Sequence, residues 1–156
     1  MESRLNYTKL APGGVQAMYK MHKYVEESGL EQSLLELVKT RASQINGCAY
    51  CIDMHTKDAR ALGESEQRLY LLSAWREAPF YTARERAALA WTEVVTLISE
   101  SRASDEDYAA AREQFSEEEL VNLTLAVISI NGWNRLAISF RAEPGNYESQ
   151  RKHATN

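Results

Sequence analysis

Both cysteines of the chain lie in one short segment, Cys48-Ala49-Tyr50-Cys51-Ile52-Asp53-Met54-His55. The preceding pair, Asn46-Gly47, predicts a turn. If a helix starts after that turn, the two cysteines are three residues apart and Cys51 and His55 are four apart, so one helix face carries two thiols and an imidazole. This pattern is typical of a redox dithiol, and also of half of a zinc site.

A dithiol at the start of a helix has a physical reason to react. Free N–H groups and the positive end of the helix dipole stabilise a thiolate, and Cys48 lies closest to that end. His55, one turn beyond Cys51, can take the Cys51 proton directly or through a water molecule. If Cys51 is oxidised to a sulfenic acid, Cys48 is close enough to condense with it into a disulfide.

An imidazole base works best when a carboxylate holds its other nitrogen, and Glu36 is the candidate. In a helical hairpin about Asn46-Gly47, Glu36 lies about ten residues before the turn and His55 about eight after it, nearly level at about 1.5 Å per residue. The helical wheel argues otherwise. It places Glu36 on the polar side, opposite the apolar stripe, and predicts a solvated carboxylate.

Two alternatives to redox catalysis follow from the same residues. Zinc would need a fourth ligand besides the two thiols and the imidazole, such as Glu36, Asp53 or His22, because the chain has no second C-x-x-C or H-x-x-x-H. The other alternative is a pair of ordinary buried cysteines, since free cysteine often packs as a small hydrophobe.

The rest of the chain predicts an all-α, single-domain helical bundle with the C-x-x-C at the N-terminus of a central helix. The 156 residues are 44% hydrophobic, enough for one compact core, which we assign to residues 1–145, with a polar tail over residues 146–156 that is loose or lies on a neighbour. Predicted helices run from about Val15, after Pro12 and Gly13-Gly14, toward Gly29, from Glu31 to Ile45, and from the dithiol to about Leu62.

Further helix signals fill the second half. A shorter amphipathic segment contains Leu69, Leu72 and Trp75. Three capping boxes, Thr82 with Glu85, Ser104 with Asp107 and Ser116 with Glu119, start the later helices, of which the last is long and apolar through Leu136.

Composition also limits the partners and the location. The formal charge of −4 is mild and Lys and Arg are scattered, so nucleic acid is not an expected partner. No apolar run is long enough for a signal peptide or a membrane span, and we expect a cytoplasmic protein. Thiols stay reduced there, which favours a catalytic dithiol over a permanent bridge.

Several polar and aromatic residues remain to be placed. Asn131 and Asn134 interrupt an apolar helix, together with Trp133 and Arg135, and we expect them to serve packing, with Gly132 allowing close approach of another helix. Three further side chains are expected as core or as pocket wall near the thiols: Tyr19, His22 and Trp75.

The combined pattern resembles the alkylhydroperoxidase D-like branch of the carboxymuconolactone decarboxylase superfamily. Glu36 is followed after eleven residues by Cys48-x-x-Cys51-x-x-x-His55, and the similarity extends to Leu10-Ala11-Pro12-Gly13 and to Asn131-Gly132-Trp133-Asn134-Arg135-Leu136. The resemblance implies an all-α homo-oligomer, commonly a trimer or hexamer, that reduces hydroperoxides without an organic cofactor or a metal.

The resemblance also implies roles for individual residues. Cys51 attacks the peroxide, Cys48 resolves the product, and His55 and Glu36 relay the proton, partly through water. A lipoamide-like or thioredoxin-like dithiol restores the thiols. Some members have histidine where this chain has Tyr50, which leaves a proton shuttle at that position open, and lactone decarboxylation is not expected.

Our first hypothesis is therefore a thiol peroxidase. The second is a binding protein, either a redox sensor that does not turn over or a zinc-stabilised helical protein.

Overall fold

The computed structural model describes residues 2–151, which contain helices and turns but no β-strand. Nine α-helices and one 3-10 turn follow in order: α1 (Tyr7–Leu10), α2 (Pro12–Glu26), α3 (Gln32–Asn46), α4 (Ala49–Ala61), α5 (Glu66–Tyr70), a 3-10 turn (Leu72–Ala74), α6 (Ala83–Thr96), α7 (Ile98–Ser101), α8 (Asp105–Arg112) and α9 (Glu117–Phe140). The predicted all-α class is confirmed for this part of the chain.

The helical hairpin of α3 and α4 forms at the predicted turn. Gly47 adopts a left-handed conformation with φ of 70°, which a glycine reaches without strain, and it ends α3. The backbone N–H of Cys48 then donates to the Ser43 carbonyl at 2.9 Å. Gly47 and Cys48 thus reverse the chain, and α4 begins immediately after the first cysteine.

The long helix α9 packs against α2, α3 and α6 and closes the core over the hairpin. One apolar cluster, which includes Leu35, Val38 and Leu123, joins these helices. A second cluster around Leu37 and Leu72 packs the α5 region against α3, α4 and α6. Because α3 has neighbours on several sides, little of its surface reaches solvent.

Two asparagines of α9 anchor the hairpin turn. The Asn46 side-chain amide donates to Asn131 Oδ1 at 2.9 Å and to Asn134 Oδ1 at 2.8 Å. Asn134 in turn donates to Ser43 Oγ at 3.0 Å. The prediction that these amides serve packing is confirmed, and their role is to fix the end of α3 immediately before the dithiol.

Gly132 performs its predicted packing role toward α2. A Cβ at this position would lie 2.7 Å from Met18 Cε, so the glycine allows the Met18 side chain to approach α9 closely.

The three predicted capping boxes are all present, at Thr82, Ser104 and Ser116. The helix that begins after Thr82 ends at Thr96, although the apolar residues Leu97 and Ile98 continue its helical spacing and predict a later end; Leu97 leads into the separate turn α7. The amphipathic segment around Leu69 is divided into α5 and the 3-10 turn. None of the helices in the described range is long and apolar enough to cross a membrane.

The C-terminal tail differs from its prediction. Within the described residues it lies on its own domain, where Tyr147 donates to Asp58 at 2.8 Å and Arg151 bonds to Glu26 at 2.5 Å. Residues 152–156 lie outside the described range. Residues 146–151 are therefore not loose, because the half-buried Glu26 of α2 and the buried Asp58 of α4 provide partners for their polar side chains.

Candidate active site

The two cysteines lie at the N-terminus of α4 and are joined in a disulfide. Cys48 is the N-cap residue, and its Sγ accepts a hydrogen bond from the Cys51 backbone N–H at 3.3 Å. Both residues are 1% exposed and pack against Ala42, Ile130 and Ala137. The predicted location at a helix start, where unpaired N–H groups favour a thiolate, is therefore the observed one.

His55 and Glu36 meet across the hairpin. His55 Nδ1 lies 2.8 Å from Glu36 Oε2, and the two residues are 3% and 0% exposed. The prediction of a solvated Glu36, based on the helical wheel, is wrong. The polar side of α3 is buried as well, because α4 and the C-terminal tail cover it; Lys39, Thr40 and Ser43 on the same side are also buried.

Cations stabilise the buried Glu36 carboxylate. Burial alone raises its pKa, but the hydrogen bond and charge of His55 and those of Lys39 outweigh burial and lower the pKa from its ordinary value of 4.5 to about 2. Lys39 Nζ lies 3.1 Å from Glu36 Oε1 and also bonds to Glu26. The carboxylate is thus ionised at neutral pH, and its bond to Nδ1 leaves the other ring nitrogen, Nε2, available for proton transfer.

The C-terminal tail adds a second cation that the sequence did not predict. Arg151 Nη2 lies 3.2 Å from Glu36 Oε1 and 2.5 Å from Glu26 Oε2. On the same side, Asp58 accepts hydrogen bonds from the hydroxyls of Tyr147 and Ser149. Arg151 is 115 residues from Glu36 in sequence, so no helical periodicity could have associated the two.

Cys51 and His55 open onto the same cavity, of about 140 Å³. Its other lining residues are mostly aromatic and aliphatic: Tyr7, Tyr19, His22, Val25, Lys39, Tyr50, Met54, Ala126, Ser129, Ile130, Trp133 and Ala137. Burial and the nearby Lys39 charge lower the pKa of His22, which favours a neutral imidazole in this wall. The cavity can therefore receive a small, largely apolar molecule beside one sulfur and one base.

Ser129 contributes the least satisfied polar group of that wall. The residue is 3% exposed, and its hydroxyl has no hydrogen-bond partner within residues 2–151. A buried hydroxyl without a partner is destabilising, which makes it a candidate for contact with a bound molecule.

Cys48 lines a different cleft. Its walls are the start of α4 and the end of α9, with Tyr50, Ile138, Arg141 and Pro144 among the residues that form them. Tyr50 borders both spaces. The two cysteines of one disulfide therefore line separate cavities, and the base His55 lines the cavity of Cys51.

Other predicted candidates divide between the cavity and the core. Tyr19 and His22 line the Cys51 cavity as expected. Trp75 does not; it packs with Leu37 and Leu72, and its indole N–H donates to Glu93 at 2.8 Å. Asp53 pairs with Lys57 at 2.9 Å on the outer side of α4.

The structure does not assemble the zinc site considered from the sequence. Among residues 2–151, the group of acidic, histidine or cysteine side chains close enough to share an ion is Glu36, His55 and Asp58, with ligand atoms within 4.8 Å of one another. It contains neither cysteine. Arg151 already binds Glu36, and Tyr147 donates to Asp58, so these carboxylates form a hydrogen-bonded cluster.

The chain is similar in sequence and in structure to known proteins. The uncharacterized protein YdfG of Bacillus subtilis is 48% identical over 139 residues, which cover 89% of this chain and 95% of the relative. A crystal structure of a protein of unknown function from Agrobacterium tumefaciens, whose name links it to antioxidant defence and AhpD, is 46% identical with a TM-score of 0.90, and the match covers 94% of this chain and all of the other.

A more distant structure shares the fold. The alkylhydroperoxidase AhpD core of an uncharacterized peroxidase-related protein from Ralstonia eutropha has a TM-score of 0.79 at 21% identity, and the match covers 89% of this chain and 74% of that one. The model of the carboxymuconolactone decarboxylase family matches residues 12–94, which include Glu36, both cysteines and His55. The chain belongs to the carboxymuconolactone decarboxylase family, in its alkylhydroperoxidase D-like branch.

Proposed function

We propose that the protein is a thiol peroxidase that reduces small organic hydroperoxides through a Cys48/Cys51 dithiol cycle. The observation that carries this proposal is the shared cavity of Cys51 and His55, with His55 held by the ionised Glu36 at 2.8 Å. A nucleophile, a base and a carboxylate that orients the base are thus arranged in sequence around one small space.

In the first step His55, acting directly or through a water molecule, accepts the Cys51 proton. The Cys51 thiolate attacks the distal oxygen of ROOH, so an S–O bond forms and the O–O bond breaks. Cys51 becomes a sulfenic acid, and the leaving RO⁻ takes a proton from the His55 imidazolium to give ROH. Glu36 stays ionised and stabilises the imidazolium during this step.

In the second step the Cys48 thiol loses its proton and attacks the Cys51 sulfur, so the S–S bond forms, the S–O bond breaks, and the departing hydroxide takes that proton and leaves as water. Cys48 is positioned for this step because its Sγ already lies at the N-terminus of α4 beside Cys51. An external dithiol then reduces the disulfide and leaves as a cyclic or intramolecular disulfide. We propose a lipoamide-like or thioredoxin-like donor in the cytoplasm.

The cavity wall favours organic hydroperoxides over hydrogen peroxide. Aromatic and aliphatic side chains such as Tyr19, Ile130 and Trp133 bury an alkyl or aryl group, while the Ser129 hydroxyl can donate to a peroxide oxygen. Tyr50 provides another phenol at the boundary of the cavity and can act as a further donor.

We also propose that the chain forms a homo-oligomer. Several large apolar side chains of the described surface are exposed along α9, including Val121 at 60%, Ile128 at 48% and Ile138 at 45%. Exposed apolar residues repeated along a single helix support a contact with a second copy of the chain. Sedimentation analysis of the purified protein tests this, and a monomer at micromolar concentration would contradict it.

A steady-state assay tests the peroxidase proposal. Cumene hydroperoxide is the substrate, and dihydrolipoamide or reduced thioredoxin is the donor. Cycling that consumes one dithiol per hydroperoxide is the expected result. A single oxidation with no cycling under either donor would favour the redox sensor.

A further inference from the structure

The segment after α9 returns across α4 and ends beside the proposed proton relay. We name residues 145–151 the C-terminal strap. Its first part is fixed to the outer side of α4, where the Gly145 N–H donates to Asp53 at 3.0 Å and Lys57 Nζ donates to the Gly145 and Tyr147 carbonyls at 3.2 and 3.0 Å. The strap is therefore held at specific points before it reaches the buried carboxylates.

The middle of the strap is bound to Asp58, which is 5% exposed. The Tyr147 hydroxyl donates to Asp58 Oδ1 at 2.8 Å, and the Ser149 hydroxyl donates to the same oxygen at 2.5 Å. Burial and the Asp58 charge raise the pKa of Tyr147, so its hydroxyl keeps its proton and remains a donor. These contacts position the final residue of the strap.

Arg151 divides its guanidinium between two helices. Its Nη1 donates to Gln32 Oε1 at 2.7 Å, and its Nη2 contacts Glu26 Oε2 at 2.5 Å and Glu36 Oε1 at 3.2 Å. The other Glu36 oxygen, Oε2, is bonded to His55. Arg151 and His55 therefore occupy opposite oxygens of one buried carboxylate.

Arg151 provides one of the two permanent positive charges near Glu36. The titratable and charged groups that face Glu36 come from α2, α3, α4 and the strap: His22, Glu26, Lys39, His55, Asp58, Tyr147 and Arg151. Three are carboxylates when Glu36 itself is included, and two, Lys39 and Arg151, are permanent cations. Loss of Arg151 would leave three carboxylates with one permanent cation, which makes the electrostatic potential around Glu36 and the neighbouring Cys51 cavity more negative.

We propose that Arg151 is a positioning residue for the Glu36 and His55 pair. Its guanidinium contacts Oε1 of Glu36 while Oε2 holds His55, and its positive charge offsets the surrounding carboxylates, which favours the Cys51 thiolate. The proposal rests on the proposed function only in assigning Cys51 as the thiol that the pair serves.

The test measures thiolate availability without any peroxide. A Cys48→Ser background leaves Cys51 as the single thiol of the chain, and its second-order alkylation by iodoacetamide is followed across pH by mass spectrometry. Removal of a nearby cation raises the pH at which neighbouring groups lose protons. We therefore expect Arg151→Gln to move the midpoint of the alkylation-rate profile of Cys51 upward by about 0.5 to 1 pH unit, with alkylation at pH 7 about three- to ten-fold slower.

Two variants separate electrostatics from general effects. Arg151→Lys keeps the positive charge, and its alkylation midpoint should lie close to that of the Cys48→Ser background. Lys23→Gln also removes one positive charge but at an exposed position of α2, where the side chain is 74% exposed, and should leave the midpoint unchanged. An Arg151→Gln profile that overlaps the background profile would overturn the proposal, and so would an equal shift in Lys23→Gln.

The thermal midpoint of each variant shows whether the fold is intact. If Arg151→Gln does not fold, Tyr147→Phe, which removes one of the two hydroxyls that hold the strap on Asp58, must give a smaller upward shift. No shift in that variant would equally refute the role of the strap. The peroxidase assay is independent of this readout: a shift without turnover refutes the proposed function alone, and turnover without a shift refutes the role of Arg151 alone.

Discussion

Replacement of Glu36 by glutamine tests whether the buried carboxylate orients the base. The substitution nearly preserves the volume at a fully buried position, removes the negative charge and replaces one acceptor oxygen with an NH2 donor. An amide can still bond to His55 Nδ1, but it cannot stabilise an imidazolium, and it leaves Lys39 and Arg151 with Glu26 as their shared carboxylate. Both activity and stability should therefore fall.

The structure supports an estimate of the size of each effect. An oriented general base contributes about 10² to 10⁴ in rate, and because glutamine retains some hydrogen bonding we expect kcat/KM for cumene hydroperoxide to fall about 100-fold. Removal of one partner from a buried ion pair costs about 3 to 5 kcal/mol, and since Lys39 keeps Glu26 we expect a loss of about 3 kcal/mol in the free energy of unfolding.

The stability loss has a defined pH dependence. The pKa of Glu36 is lowered from 4.5 to about 2 on folding, so its stabilising contribution is fully present above about pH 4.5 and is lost as pH falls toward 2. The gap between wild type and Glu36→Gln, measured by urea unfolding, should accordingly narrow over that range.

Glu93→Gln is the matched control for this experiment. Glu93 is another largely buried carboxylate with cationic partners, Arg41 at 2.8 Å and Arg76 at 2.5 Å, and it does not line the Cys51 cavity. The control should lose stability and keep its activity per folded molecule. A Glu36→Gln protein that retains activity within three-fold of wild type, while folded, would refute the orienting role.

Two further substitutions test the resolving thiol and the contact with substrate. With Cys48→Ser, treatment of the reduced protein with one equivalent of hydroperoxide should leave a persistent sulfenic acid on Cys51, detected by dimedone labelling; an unlabelled protein would count against the assigned roles. With Ser129→Ala, loss of one hydrogen bond of about 1 kcal/mol should raise KM for the hydroperoxide about five-fold with little change in kcat, and an unchanged KM would remove Ser129 from the substrate contact.

Much of the fold follows from local sequence signals. The Gly47 turn, the capping boxes and the apolar run of α9 each depend on residues close together in the chain, and each forms as predicted. Helix rise alone also predicts that Glu36 and His55 lie at nearly the same height along the two antiparallel helices of the hairpin.

The surroundings of Glu36 could not be predicted in the same way. A helical wheel assumes one buried face, but α3 packs against α4, α6 and α9 and is covered by the strap, so its polar side is buried too. The contact of Arg151 depends on where a tail without regular structure lies, and no periodic pattern records that. Long-range burial therefore decides the electrostatics of the site.

A single-turnover reaction shows whether Cys51 reduces a hydroperoxide. Reduced protein is mixed with one equivalent of cumene hydroperoxide, and the alcohol product and the intact mass are measured together for wild type and Cys51→Ser. We expect one alcohol per wild-type chain, with loss of two hydrogen atoms as the Cys48 and Cys51 disulfide forms, and no alcohol above background for Cys51→Ser. Equal alcohol formation by Cys51→Ser, or disulfide formation without alcohol, would contradict it.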